Sequence, residues 1–422
     1  MATPIGMNNA STFDSMSVRN GLGLHAYDRS KIYMESLKYD ILTGNQNLIE
    51  VVETETNGNT KITGDKFITK VTPNGDVGTA ATDVTLEYVK AIAEDAIEGN
   101  GTAYIGNESI KDVLYTKAYA NDYARPIASF GFGIDKLEQD WWKLSDVDRK
   151  LLSQWLGETN GYYSRQALCE GVSSNLTKAP INLTSALMNP NSYIVGAGGS
   201  VAYGINEAAY KANIQTAFDT GTASHLTVPV IVELGDVAQL DAYIKPVTID
   251  GKNLYGLLTS REEVRQLRSA DNTSSYAEYY LQGSALARVQ DIVPEADMVI
   301  GDVIIIPDDR APDVDSTDGA SFSFGYVKQG RTSTRTTATA AGHSYLNVNI
   351  LLGANALLQY DRSMPDFKTQ LDDYGRDVGT LIHACSGFVL PIWTDDTASE
   401  TPRYEGGMLV FTKKESFIGD KA

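Results

Sequence analysis

The chain has 422 residues, of which 42% are hydrophobic, a net charge of −19 and two cysteines, Cys169 and Cys385. That length buries a core without disulfide or metal staples, and two cysteines so far apart make neither a disulfide framework nor a metal-ligand spacing. The acidic balance excludes a sequence-independent DNA binder, which needs clustered Lys and Arg, and no apolar run nears the roughly 18 residues of a membrane span.

The first residues, Met1 to Ala10, have no basic start and no apolar stretch after it, so no signal peptide is expected. The first two dozen residues are polar and small, with Gly21 and Gly23 near their end. They read as an extended arm, ordered only by a partner or not at all. Asp28 to Thr43 has helical spacing through Ile32, Leu37, Ile41 and Leu42, with Gly44 as a stop. From Leu48 to Phe130 the texture turns β-prone: Ile49 to Thr54, Lys66 to Val71, Ala103 to Ile105 and Val113 to Tyr119. The turn signals Asn57-Gly58, Asn74-Gly75 and Gly99 to Gly101 lie between them, and a helix is expected at Thr85 to Ile97. Few large aliphatics occur here, so this region reads as a long β-hairpin excursion that lies on something else, a neighbouring subunit included, and not as an independent domain.

Ile134 to Ser173 is the strongest helical stretch, carrying Leu137, Trp141, Leu144, Leu151, Trp155, Tyr162 and Tyr163. Ser145 with Asp148 resembles a capping box and predicts a restart there. The Trp141-Trp142 and Trp155 cluster reads as core, not as a ligand site. Thr177 to Thr222 is loop-rich. Beyond it, the expected order is a strand at Leu226 to Val232, a helix at Gly235 to Tyr243, a strand at Leu254 to Thr259 and a helix from Arg261 to Ser269. A helix at Tyr276 to Ala287 and a strand at Val299 to Ile306 follow. Asp308 to Gly319 reads as an acidic loop and Ser333 to Ala341 as a mobile Thr-rich stretch. The apolar run Asn347 to Tyr360 holds Gly353. Two closing strands, Val378 to Ala384 and Phe388 to Trp393, are expected to be joined at Ser386-Gly387, with a last one at Met408 to Thr412. Strands and helices mixed without strict alternation predict an α+β fold.

The chemistry-bearing residues form no recognisable site. The four histidines, His25, His225, His343 and His383, are far apart, so a His-based metal centre is not expected. The run Ile194 to Gly204 spaces Gly196 and Gly198 as a dinucleotide fingerprint would, but Val201 stands where the third Gly belongs. Asp313, Asp315 and Asp318 with Gly319 approach a calcium loop, yet the spacing is off by one and Phe324 replaces the bidentate Glu; a solvated acidic loop is the better reading, with weak cation binding as the alternative. The adjacent carboxylates Glu262-Glu263 and Asp372-Asp373 would point about 100° apart on a helix and form no acid/base couple. No catalytic residue, cofactor-binding residue or metal ligand is assigned. The 23 tyrosines suit either interfaces or a β-rich core.

Several segments resemble the major capsid proteins of tailed bacteriophages, specifically the N-four-like podovirus group. Tyr255 to Ser269, a hydrophobic strand and a helix ending in a Leu-Arg pair, is similar to a strand–helix segment of that group. Gly301 to Pro312 resembles its strand followed by acidic-Arg-x-Pro, Leu351 to Leu357 its Leu-Gly-Ala-x-Ala signature, and Asp373-Tyr-Gly375 with the strands after it its closing hairpin. Order and spacing agree over residues 250 to 395. The N-terminal half resembles the Hong Kong 97 layout of arm, extended loop and spine helix.

The resemblance implies an N-terminal arm and helix at 1–48, an extended β-loop at 49–130, a peripheral domain with the spine helix at 131–235, an axial domain at 236–369 and a return to the peripheral domain at 370–422. It implies a non-enzymatic shell subunit that assembles with itself as hexamers and pentamers in the host cytoplasm. Portal, scaffolding and possibly cement proteins are its implied partners. The shell encloses double-stranded DNA without sequence-specific binding, and needs no cofactor and no membrane. Two alternatives stay open: a tail, fibre or other surface binding subunit, suggested by the Asn, Thr, Gly and Tyr texture, and a hydrolase, suggested only by the number of carboxylates. Particle mass separates them.

Overall fold

The computed structural model describes residues 49–54, 60–63, 68–73, 83–89, 113–129, 134–173, 176, 189–196, 224–249, 252–267, 296–317, 321–326, 344–372, 377–393 and 404–413. The helices expected at 28–43 and 276–287, the arm, and the Thr-rich stretch lie outside the described residues.

In chain order the strands are β1 (Ile49–Thr54), β2 (Thr60–Thr63), β3 (Ile68–Pro73), β4 (Asp83–Val89), β5 (Val113–Tyr119) and β6 (Asn121–Ser129). The helix α1 (Ile134–Glu170) and the short β7 (Ser192–Ile194) follow. Next come α2 (Val228–Leu240), β8 (Val247–Ile249), β9 (Lys252–Ser260), α3 (Arg261–Leu267), β10 (Met298–Ile300) and β11 (Val303–Asp308). The chain then forms β12 (Asp313–Thr317), β13 (Ser321–Gly325), β14 (Ser344–Leu352), β15 (Leu357–Asp372), β16 (Asp377–Val389) and β17 (Gly407–Lys413).

These strands make three sheets. The first has the order β2-β1-β15-β16-β6, with β1 and β15 parallel and the other pairs antiparallel. The second, of nine strands, runs β10-β11-β9-β14-β12-β13, with β17 on the far side of β14, β7 beyond it, and β8 on β9. The third is the antiparallel β3-β4-β5.

Strand alternation decides what each sheet packs against. In β11, Val303 and Ile305 enter one core cluster and Ile304 and Ile306 another, because successive side chains leave opposite faces. Met408 and Val410 of β17 join the first cluster, Leu409 and Phe411 the second. The nine-stranded sheet is therefore buried on both sides. One face takes α2 through Val228, Ile231, Leu234 and Ala238, and α3 through Val264 and Leu267. The other takes the C-terminal end of α1 through Ala167, Leu168 and Cys169. Further back, Leu152 and Leu156 of α1 pack on Ile382 and Ala384 of the five-stranded sheet. A helix of 37 residues is about 55 Å long at 1.5 Å per residue, so α1 works as a beam joining both sheets. The opposite face of the five-stranded sheet, through Leu358, Tyr360 and Cys385, carries the three-stranded sheet by Val84, Leu86, Ala118 and Ala120. The aliphatic-poor segment before residue 130 thus borrows its core from β15 and β16.

Several expected elements take another form. The run Leu226–Val232 is not a strand: α2 begins at Val228, with a proline in its first turn. Its β-branched residues suggest extension, but proline pre-sets the helical start and burial of every third or fourth residue decides the rest. The helix expected from Thr85 is instead β4, where Val84 and Leu86 are buried in alternation. Val299–Ile306 is a hairpin and not one strand, because Gly301 turns the chain at φ +59 between β10 and β11. The acidic loop is largely the strand β12, paired on both sides. The expected joint at Ser386-Gly387 is absent, since β16 runs straight through it and pairs with β15. Nor does α1 restart at Ser145. The strands expected at 49–54, 113–119, 254–259 and 408–412 are present as β1, β5, β9 and β17.

Candidate functional site

The side chains that could do chemistry do not converge on a reactive centre. On β16 and β6, His383, Cys385 and Asp122 come near one another, with His383 Nε2 3.7 Å from Asp122 Oδ1. Burial and the neighbouring Asp122 push the Cys385 thiol up to about 12, so it stays protonated at neutral pH and is a poor nucleophile. Burial raises the Cys169 thiol as well. Of the acidic run, Asp313 is buried and Asp315 follows on the same strand, while Asp318 lies outside the described residues. Among the described residues no group of three or more His, Cys, Asp or Glu side chains is placed to hold a metal ion. Gly196 turns at φ +90 after β7, and residues 197–204 lie outside the described ones. Of the paired carboxylates, Glu263 is fully buried and Glu262 half-buried; Asp373 is outside the described residues.

What the polar side chains build instead is a set of buried ties. The turn Asp308-Asp309-Arg310 is the clearest. Arg165 of α1 donates to Asp308 through Nε at 2.7 Å and Nη2 at 2.9 Å, in a bidentate pair whose side chains are 3% and 2% exposed. Its Nη1 donates to Gly161 O at 2.9 Å. Arg310 adds an ion pair to Glu158 of α1 at 3.3 Å, and Asp309 pairs with Arg261 of α3 on the surface. One turn thus holds the beam helix and α3 together across the nine-stranded sheet. Sequence reasoning missed Arg165; the available signal was an arginine one turn before the buried Leu168, on the apolar side of the helix.

A second tie centres on Glu263 in the first turn of α3. Its Oε1 accepts from Asn347 Nδ2 at 2.9 Å and Thr412 Oγ1 at 2.5 Å, and its Oε2 from the Leu226 amide at 3.4 Å. Asn349 extends the network, donating to Thr412 at 3.0 Å and accepting from Thr259 at 2.8 Å. Burial holds the Glu263 carboxyl above its usual range, against the pull of those hydrogen bonds and of His225. A third tie joins Tyr326 Oη to Glu170 at the end of α1, 3.0 Å apart. The Leu-Gly-Ala segment is also explained by geometry: a Cβ on Gly353 would strike the Lys245 carbonyl, and the Ala354 amide donates to that oxygen at 2.7 Å. Only glycine lets the β14–β15 connection approach so closely.

The arrangement is one of sheets locked to a beam helix by desolvated polar ties. Comparison with solved structures gives it a type. Over 80% of this chain and 85% of theirs, it superposes on the capsid of Ralstonia phage GP4 with a TM-score of 0.56 at 13% identity. The acid-stable capsid of Helicobacter pylori bacteriophage KHP30 gives 0.52 at 14% identity, over 80% of this chain and 85% of that one. The capsid asymmetric unit of Cyanophage Pam1 gives 0.50 at 13% identity, over 80% and 86%. The fold is the Hong Kong 97 type. No protein-family model and no curated protein sequence matches the chain. The turn Asp308-Asp309-Arg310, whose sequence resembles an acidic-Arg-x-Pro segment, has a physical role of its own in the clasp on α1.

Proposed function

We propose that the chain is the major capsid protein of a tailed bacteriophage, self-assembling into the icosahedral head shell around the double-stranded DNA genome. The observation that carries this is the shared fold across four-fifths of the chain with three phage capsids. The motifs at 255–269, 301–312 and 351–357 favour the N-four-like podovirus group. In this reading residues 1–48 form the arm, 49–130 the extended loop, 131–235 and 370–422 the peripheral domain around α1, and 236–369 the axial domain. The subunits form hexamers and pentamers in the host cytoplasm, with portal, scaffolding and cement proteins as partners. A chain with a net charge of −19 repels packaged DNA and leaves it mobile inside the shell. The subunit carries out no catalysis; its work is to close repeated contacts on themselves.

Negative-stain electron microscopy after size exclusion tests this, with and without the neighbouring viral genes co-expressed. Shells, tubes or rings of five or six are expected. A stable monomer or trimer under every condition would refute it and return the fibre reading.

A further inference from the structure

A strand at the edge of a sheet presents a row of backbone N–H and C=O groups that invites a strand from another molecule. Among the described residues the sheets end at β2 and β6, at β3 and β5, and at β7, β8, β10 and β13. Of these β6 is the longest, with 9 residues, roughly 30 Å of edge at the rise of an antiparallel strand. It pairs with β16 and with no other described strand. Asn121, Asp122, Ala124, Arg125 and Pro126 are exposed, so this stretch of the edge faces solvent.

The backbone of β6 is nonetheless a poor template. Pro126 stands within the strand, opposite Leu381. A proline has no N–H to give, so a sheet tolerates it where that side faces away from the partner strand. Backbone groups alternate in direction along an antiparallel strand. Asp122, Ala124, Pro126 and Ala128 therefore turn theirs outward, and the residues between them turn theirs toward β16. A second observation fits the same phase: the Asp122 amide donates to Oδ1 of the Asn121 side chain at 3.0 Å. Of the outward positions, one has no hydrogen and one has its hydrogen already engaged. Ala124 stands alone between them as a donor, whereas a ladder needs a donor at every second residue. The exposed Asp122 and Arg125 add charge to the same edge.

We propose that β6 is a guarded edge: Pro126 and the Asn121–Asp122 bond keep a strand of a second copy of this chain from extending the five-stranded sheet. The guard goes beyond the shell reading and acts on the free subunit. Where copies gather at high local concentration, it confines their contacts to other surfaces.

The test is a concentration series of the full chain, followed by light scattering and thioflavin T fluorescence. Electron microscopy tells fibrous or amorphous aggregates from closed particles. Pro126→Val restores an N–H and a strand-forming side chain, and Asn121→Ala frees the Asp122 amide. Each should lower the concentration at which thioflavin-positive aggregates appear by about tenfold, the effect of one added inter-strand bond. Both together should lower it further. Far-UV circular dichroism and melting of the dilute subunit establish that each variant is folded. Moving the proline two positions along the same edge, by Ala124→Pro with Pro126→Val, should restore the parental threshold, which a general loss of stability would not do.

A parental threshold in the folded chain carrying both Asn121→Ala and Pro126→Val overturns the guard. So does a folded Ala124→Pro, Pro126→Val chain that aggregates like Pro126→Val alone. If Pro126→Val does not fold, the threshold of Asn121→Ala decides by itself. Closed particles, formed or not, bear on the shell reading and leave this one to the thioflavin signal.

Discussion

Replacing Asp308 with asparagine should cost the subunit a large share of its stability. The carboxylate receives two bonds from Arg165, at 2.7 and 2.9 Å, in a site where the two side chains are 3% and 2% exposed. It also accepts the Arg310 amide at 2.9 Å. Asparagine offers one oxygen and an NH₂ group to a guanidinium that can only donate, so one of the two bonds is lost while the cation stays desolvated. Removing one partner of such a pair costs about 3–5 kcal/mol, against about 5–15 kcal/mol for a whole domain. Equilibrium urea unfolding of the unassembled subunit, followed by tryptophan fluorescence and far-UV circular dichroism, measures it. The control is Arg165→Met with Asp308→Leu, which removes both charges and should recover most of the loss, less roughly 1 kcal/mol for the Arg310 amide. An Asp308→Asn variant within about 1 kcal/mol of the parent, or a double variant as unstable as the single one, would refute the claim that a desolvated ion pair fixes α1 to the sheet.

Three further outcomes are expected. Burial raises the Glu263 carboxyl, so the folded chain binds that proton more tightly than the unfolded one. Glu263's contribution is full below the ordinary carboxylate range and is lost as pH rises through the raised value, and Glu170, also raised by burial, pulls the same way. Urea midpoints taken upward from about pH 4 should fall less steeply in Glu263→Gln; an unchanged slope would contradict this. Gly387→Ala would press a methyl onto the Tyr119 carbonyl and, at 3.0 Å, the Leu176 methyls. A loss of about 1–3 kcal/mol should appear in thermal melting, and an unaltered midpoint would show that the three-stranded sheet is free to move away. Deleting residues 1–24 should leave a folded subunit with parental circular dichroism that assembles poorly, and normal shells from that chain would remove the arm from the assembly reading.

Elements whose local pattern and tertiary role agree were legible in the sequence. β5 alternates in burial, β9 and β17 are near-continuous apolar runs suited to a sheet covered on both faces, and α1 carries its apolar residues at helical spacing. The errors arise where tertiary context overrides local texture. Val228, Val230, Ile231 and Val232 are β-branched yet helical, because a proline starts the turn and the β10–β11 face receives every third or fourth residue. Ser386-Gly387 reads as a turn, yet glycine is there for the close approach of Tyr119, a residue distant in sequence. The ties were invisible for the same reason: Arg165 and Asp308 are separated by 143 positions, Glu263 and Thr412 by 149. The capsid-like motifs were legible as an order of segments, but nothing in a one-dimensional string says that Asp308-Asp309-Arg310 clasps a helix.

The position of β17 has a consequence for synthesis. It lies inside the nine-stranded sheet between β14 and β7, and its side chains enter both clusters that line that sheet. Until it emerges, β14 keeps an open hydrogen-bonding edge, Glu263 lacks Thr412, and two apolar faces stay unsealed. About 60 residues separate β14 from the end of β17, which a ribosome takes roughly 3–12 s to add. During that interval a nascent chain is exposed to pairing with its own kind along the wrong edge. Translation speed and chaperone occupancy over that stretch therefore bear on how many chains reach the folded state.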